Sequence, residues 1–142
     1  EECISRVLFF VECFWQELLK FSRRTESQIA RWAARYGIKD NPKATLDNAK
    51  KNYSGRYTCV NLTNYHTIEF RIFRGTLKYN TLAATLQLVN RICDLAVNMN
   101  DKELTQLNWC DFVAEINEPE LITYLKERRL YVNEPIDCEE DM

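Results

Sequence analysis

Glycine and proline are scarce in this 142-residue chain, three of each, and histidine occurs once, at His66. So few turn-forming residues argue against an all-β sandwich, which needs a tight turn after every short strand. The lone histidine has no cysteine within six residues. Zinc-ligand spacing and a Cys–His nucleophile pair are therefore both unsupported. The cysteines, at 3, 13, 59, 93, 110 and 138, include no Cys-x-x-Cys pair and accompany no secretory signal. They read as reduced thiols, with Cys13, Cys59 and Cys93 on apolar faces as small hydrophobes. Long apolar runs are also missing. The longest, Val7–Val11, lies between Arg6 and Glu12, far short of the roughly 20 residues that cross a bilayer. Neither a membrane span nor a signal peptide is expected, and a cytoplasmic location follows. An excess of one charge is lacking too: 19 Lys plus Arg face 21 Asp plus Glu, which excludes a uniformly basic nucleic-acid binder.

What is present is apolar and patterned. The hydrophobic set makes up 46% of the residues, enough for one core in a single domain spanning 1–142. Ile4, Val7, Leu8, Val11, Phe14, Trp15, Leu18 and Leu19 recur at three and four residues, predicting one helix over 2–21. Thr25–Gln28 has capping-box spacing and opens a helix that Gly37 ends. Asn41-Pro42 marks a loop before a short polar helix near 44–52. Residues 56–63 and 67–74 alternate with a period of two around a three-residue connection, predicting an antiparallel β-hairpin. A helix capped by Asn80 or Thr81 follows, with Leu82, Leu86, Val89, Ile92 or Cys93, and Val97 as its apolar face. Helices near 104–116 and 119–130 complete the chain, the second with Pro119 in its first turn. An acidic tail runs from Glu134. The fold class is α+β: mostly helical, with the hairpin packed on helices.

Parity along the second strand singles out the chemistry. Ile68, Phe70 and Ile72 share the core face. Thr67, Glu69, Arg71 and Phe73 share the other, with Glu69 and Arg71 about 7 Å apart along one strand face. Asn61 on the neighbouring strand joins them if the register allows. A carboxylate, a guanidinium and an amide on a rigid sheet suit a magnesium–nucleotide site, although a solvated Glu–Arg pair has the same pattern.

Several stretches carry a resemblance: Phe21-Ser22-Arg23-Arg24, Ala33-Ala34-Arg35-Tyr36, Val60-Asn61-Leu62-Thr63-Asn64 and above all His66 to Leu77 (HTIEFRIFRGTL). Over residues 5 to 97 the sequence resembles the amidoligase family, glutamine-synthetase-like carboxylate–amine ligases common in phages and mobile elements. The resemblance implies ATP- and magnesium-dependent activation of a carboxylate, followed by attack of an amine. It makes Glu69 a metal ligand and Arg71 a phosphate contact. Arg71 and Arg74 become the candidate catalytic residues, and Arg23, Arg24, Arg35, Asn61 and Arg71 the nucleotide- or carboxylate-binding set. The family's fold has a longer N-terminal half with further strands and acidic ligands. The match therefore covers its C-terminal half, and the active site is expected to be incomplete here. Residues 98–142 then form an acidic helical extension and tail.

Two functions follow as expectations. One is a shortened or partial amidoligase. The other is a non-catalytic binding protein from a phage or mobile element, acting in the bacterial host cytoplasm on a host protein such as a CRISPR nuclease. Unpaired hairpin edges would favour a homodimer or capture of a partner strand. Nucleic acid is a weaker fit, because solvated helix faces explain the Lys and Arg interleaved with Trp32, Tyr36, Tyr53 and Tyr57. The near-zero net charge conceals a split. Residues 1–80 carry 14 Lys plus Arg against 8 Asp plus Glu, and residues 81–142 carry 5 against 13. An anion-facing portion therefore precedes an acidic one.

Overall fold

The apolar run Val7–Val11 decides the architecture. A helix that is apolar on every side must be buried on every side, and Val7 to Glu12 are all buried. The computed structural model describes residues 2–25, 27–28, 35–51, 59–62 and 68–131. In chain order the elements are α1 (Glu2–Cys13), α2 (Trp15–Ser22), α3 (Pro42–Lys51), β1 (Val60–Asn61), β2 (Glu69–Phe70), α4 (Tyr79–Asn98), α5 (Asp101–Gln106), α6 (Trp109–Ala114) and α7 (Pro119–Glu127). The chain is α+β, mostly helical with a small two-stranded antiparallel sheet. α1 forms its central rod, packed by α3, α4 and α5, while α7 lies along α4.

Packing corrects several boundaries. The single helix expected over 2–21 divides at Phe14, whose ψ of 35° leaves the helical range. Its ring fills the space between Phe10 at 4.8 Å and Trp109 at 5.7 Å. The helix after Asn41 begins earlier than expected, at Pro42, because Asn41 caps it: Ala44 N–H donates to Asn41 Oδ1 at 2.8 Å. Proline at the first helical position loses no hydrogen bond. The helix expected over 104–116 is two short helices. Asn100 opens α5 with a complete capping box to Glu103, and Asn108 caps α6. α7 starts at Pro119 as expected and ends at Glu127, followed by Arg129 in the left-handed region at φ 57°.

The capping box at Thr25–Gln28 is formed in both directions: Thr25 N–H donates to Gln28 Oε1 at 3.1 Å, and Gln28 N–H to Thr25 Oγ1 at 3.3 Å. Most of the helix expected after it lies outside the described residues, as do the acidic tail and the hairpin's turn. Gly37 has φ +95°, a conformation that a side chain disfavours,.

The largest correction concerns α4. Its buried residues are Thr81, Ala84, Leu88, Ile92 and Ala96, whereas Leu82, Leu86 and Val97 are exposed. Neither Asn80 nor Thr81 caps it. The helix begins at Tyr79 without a side-chain cap. Polar contacts tie it to the rest: Arg6 donates to the Ala96 carbonyl at 3.0 Å and pairs with Asp101 just beyond the helix at 2.9 Å, and Arg91 pairs with Glu118. The cysteines also differ from expectation. Cys59 is buried, Cys93 half-buried, and Cys3, Cys13 and Cys110 are exposed; these five are free thiols. Among the described residues no helix is long and apolar enough to cross a membrane.

Candidate anion-binding site

The site begins with the hairpin register. Val60 faces Phe70 and Asn61 faces Glu69. The Arg71 N–H donates to the Cys59 carbonyl at 2.8 Å, which carries the ladder one residue further. Directly opposed residues share a face, so Asn61 and Glu69 meet, and two residues along Arg71 joins them. Asn61 Nδ2 donates to Glu69 Oε1 at 3.4 Å, and Arg71 Nη1 donates to the same oxygen at 3.1 Å. Asn61 is buried, Glu69 and Arg71 half-buried.

The expected strand over 67–74 does not run that far. Its described part is Glu69–Phe70, and the chain bends at residues 72 and 73. Parity fails there. Ile72 points inward as expected, but Phe73 also turns to the core, edge-on to Phe21 at 5.7 Å and 6.4 Å from Phe70. The bend frees backbone carbonyls from sheet pairing, and two arginines from another element take them. Arg24 Nε donates to the Ile72 carbonyl and Arg23 Nη2 to the Arg74 carbonyl, both at 2.9 Å.

Those arginines reach the hairpin because α2 ends abruptly. Arg23 sits in the left-handed region, φ 64° and ψ 17°, a conformation that costs a non-glycine residue about 1 kcal/mol or more. The turn sends consecutive side chains to one strand, and the two carbonyl hydrogen bonds offset its cost. Ser22 Oγ accepts from the Arg24 N–H at 3.1 Å and steadies the turn.

The result is a gathering of like charges. Burial pushes the Arg24 guanidinium below its ordinary pKa, and the positive charges of Arg71 and Arg74 push the same way,. No described carboxylate pairs with Arg23, Arg24 or Arg74. The Nε of Arg23 is buried with no hydrogen-bond partner. Buried donors are normally satisfied, and among the described residues nothing accepts from this one. Of the residues singled out by sequence, the structure brings together Arg23, Arg24, Arg71 and Arg74, with Glu69 and Asn61 beside Arg71.

Arg35 is held elsewhere. Its Nε pairs with Glu12 Oε2 at 2.8 Å, its Nη2 donates to the Glu12 carbonyl at 3.1 Å, and the guanidinium lies 4.8 Å from the Trp15 ring centre. Glu12 is the residue that sequence reasoning missed. Its side chain is fully buried at the end of the apolar run, and it also accepts the Tyr36 N–H at 2.7 Å. The Tyr36 hydroxyl in turn donates to the Val60 carbonyl at 2.9 Å. Glu12 thereby anchors the 35–36 segment, and through it β1. Its sequence signal is a lone acid directly after five apolar residues, which reads equally well as a solvated flank.

The donor set fits an anion better than a metal ion. Magnesium takes oxygen ligands in near-octahedral array. Among the described residues one carboxylate, Glu69, faces the patch, and one of its oxygens already accepts from both Arg71 and Asn61. Among the described residues no three His, Cys, Asp or Glu side chains gather as a metal group. The described residues do not fit a protein-held magnesium ion. Guanidinium forks do match phosphate and carboxylate oxygens. A separate cavity of about 290 Å³ between α4, α5 and α6 is bordered by Asp94, Glu103, Asp111 and Glu115, so its charge repels the same ligands. Comparison of the chain with known family models, characterised proteins and solved structures gives no match.

Proposed function

We propose that this chain is an amidoligase-like protein whose arginine patch binds the phosphate groups of a nucleotide. It contributes binding and charge neutralisation to carboxylate–amine ligation and does not complete that reaction alone. The observation that supports this reading is the convergence of Arg23, Arg24 and Arg74 beside Arg71, where Glu69 is the carboxylate paired with Arg71 and no described carboxylate pairs with Arg23, Arg24 or Arg74, with the Arg24 guanidinium pushed below its ordinary pKa by burial and by Arg71 and Arg74. Mutual repulsion of this kind is relieved by an anion, and perturbed groups of this kind concentrate at functional sites.

ATP, when bound, supplies the phosphoryl group that activates a carboxylate. The chain's part is to hold it. Arg71 and Arg74 approach from the segment that follows β2 and Arg23 and Arg24 from the turn after α2, so phosphate oxygens are clamped from two sides. Glu69 orients Arg71 by accepting from its Nη1 at 3.1 Å.

Calorimetric titration with ATP tests this reading, with and without magnesium. Binding is expected in both cases. Arg24→Met and Arg71→Met should each weaken it about tenfold, in line with the ~1.5 kcal/mol or more typical of a charged hydrogen bond. Glu69→Gln should strengthen binding, because it keeps an acceptor for Arg71 and removes the negative charge beside it. Absence of heat with wild-type protein would end the proposal. A loss of magnesium-dependent affinity in Glu69→Gln would instead assign Glu69 to the metal.

A further inference from the structure

We infer that Tyr124 and Arg128 are positioning residues of the arginine patch: α7 and its final residue hold the end of α2 in the turn that brings Arg23 and Arg24 to the hairpin. For its ligand this inference rests on the nucleotide reading above; for its geometry it rests on the helix end alone. The last carbonyls of a helix have no partner within it. At the end of α2 they are met by side chains more than a hundred residues away in sequence. The Tyr124 hydroxyl donates to the Phe21 carbonyl at 2.8 Å. Arg128 donates twice to the Lys20 carbonyl, from Nε at 3.0 Å and from Nη2 at 2.8 Å. Ser22 Oγ donates to the Leu19 carbonyl at 2.7 Å.

This helix end needs holding. A continued helix would set Arg23 and Arg24 about 100° apart around its axis. The left-handed conformation of Arg23 instead delivers both side chains to the bend at residues 72–74. The Arg24 N–H goes to the Ser22 hydroxyl, so it does not close the turn on a helix carbonyl, the usual device at a left-handed cap. Ahead of the turn, the guanidinium groups themselves bind the Ile72 and Arg74 carbonyls. Those are the groups that a phosphate engages. The hold from α7 uses none of them.

Tyr124 is itself fixed in place. It is buried, and its ring meets Phe21 edge-on at 4.7 Å. Phe21 meets Phe73 in the same way at 5.7 Å, so a column of three rings links α7, the end of α2 and the bend. Burial raises the Tyr124 pKa, and the charges of Arg23 and Arg128 oppose that rise. The hydroxyl therefore stays protonated at neutral pH and able to donate. Arg128 also places a positive charge at the negative end of the α2 dipole. An apparent affinity falls with the fraction of molecules whose site is assembled. Loss of a neutral hydrogen bond lowers that fraction by up to about fivefold, and loss of a charged one by up to about tenfold.

Two readouts test this, each taken where circular dichroism shows the variant folded. One is calorimetric titration with ATP; the other, without ATP, is solvent exchange of the Arg24 Nε–H by nuclear magnetic resonance. Tyr124→Phe should weaken ATP binding about fivefold and Arg128→Met about tenfold. Both should speed exchange of the Arg24 Nε–H, whose bond to the Ile72 carbonyl depends on the turn. Trp109→Phe is the control. It removes a buried hydrogen bond to the Leu130 carbonyl and destabilises the fold, and it should change neither readout. Where wild type binds ATP, unchanged affinity in both α7 variants overturns the inference. A loss equally large in Trp109→Phe overturns it too, by reducing the effect to general stability. Wild-type protein that binds no ATP ends the nucleotide reading; the exchange rates then decide whether α7 holds the arginines, and unchanged rates show that it does not.

Discussion

Removing Arg35 separates a structural role from a ligand-binding one. Its partner Glu12 has a fully buried side chain, whereas the Arg35 side chain is 38% exposed. Arg35→Ala strands the carboxylate with, among the described residues, the Tyr36 N–H and the distant Cys59 thiol, 3.9 Å away, still facing it. Breaking a buried pair from one side costs about 3–5 kcal/mol. The exposure of Arg35 lets water into the vacated space and places the cost near the lower end. Loss of the stacking on Trp15 adds about 0.5 kcal/mol. The expectation is a loss of about 3 kcal/mol in urea unfolding, seen as a lower midpoint at unchanged slope. Glu12→Gln keeps an acceptor for the Tyr36 N–H and removes the charge. Combined with Arg35→Ala, it should therefore recover about 1 kcal/mol or more relative to Arg35→Ala alone. Affinity for ATP, measured where the variant is folded, should not change. A cost below about 1 kcal/mol, or a double variant no more stable than Arg35→Ala, refutes the stranded-charge argument. A tenfold loss of ATP affinity would return Arg35 to the anion site.

Two further predictions concern protons and thiols. Hydrogen bonding from Arg91 holds the Glu118 carboxyl below its ordinary pKa of 4.5. The folded state thus takes up this proton less readily than the unfolded chain. The pair stabilises the fold above that ordinary value and loses its contribution as pH falls from about 4.5 through the lower folded value. Glu118→Gln should flatten this segment of the stability–pH curve in urea titrations, and an unchanged slope would show the pair to be inert. Burial, and secondarily the nearby Glu12, push the Cys59 thiol well above its ordinary pKa. Ellman's reagent should label the exposed Cys3 and Cys110 in the native protein and reach Cys59 only on unfolding; fast native labelling of Cys59 would contradict its burial.

What the sequence made legible was what depends on local period and local chemistry. Glu69 and Arg71 could be placed on one face because a strand's side chains alternate whatever surrounds it. The capping box at Thr25 and the start of α7 at Pro119 were readable for the same reason. Asn61 was legible only conditionally, since its position opposite Glu69 depends on the register. The convergence of Arg23 and Arg24 on the bend at residues 72–74 was not readable at all. It hangs on an arginine at φ 64°, which propensity alone would assign to glycine or asparagine. α4 failed for a different reason. Its sequence holds two apolar stripes, and the bulkier one (Leu82, Leu86, Val89) is the natural choice for a core. The structure buries the other, with Ala84 and Ala96 among its members, where α4 packs against α1 and α7, and close packing rewards fit over the size of any one side chain.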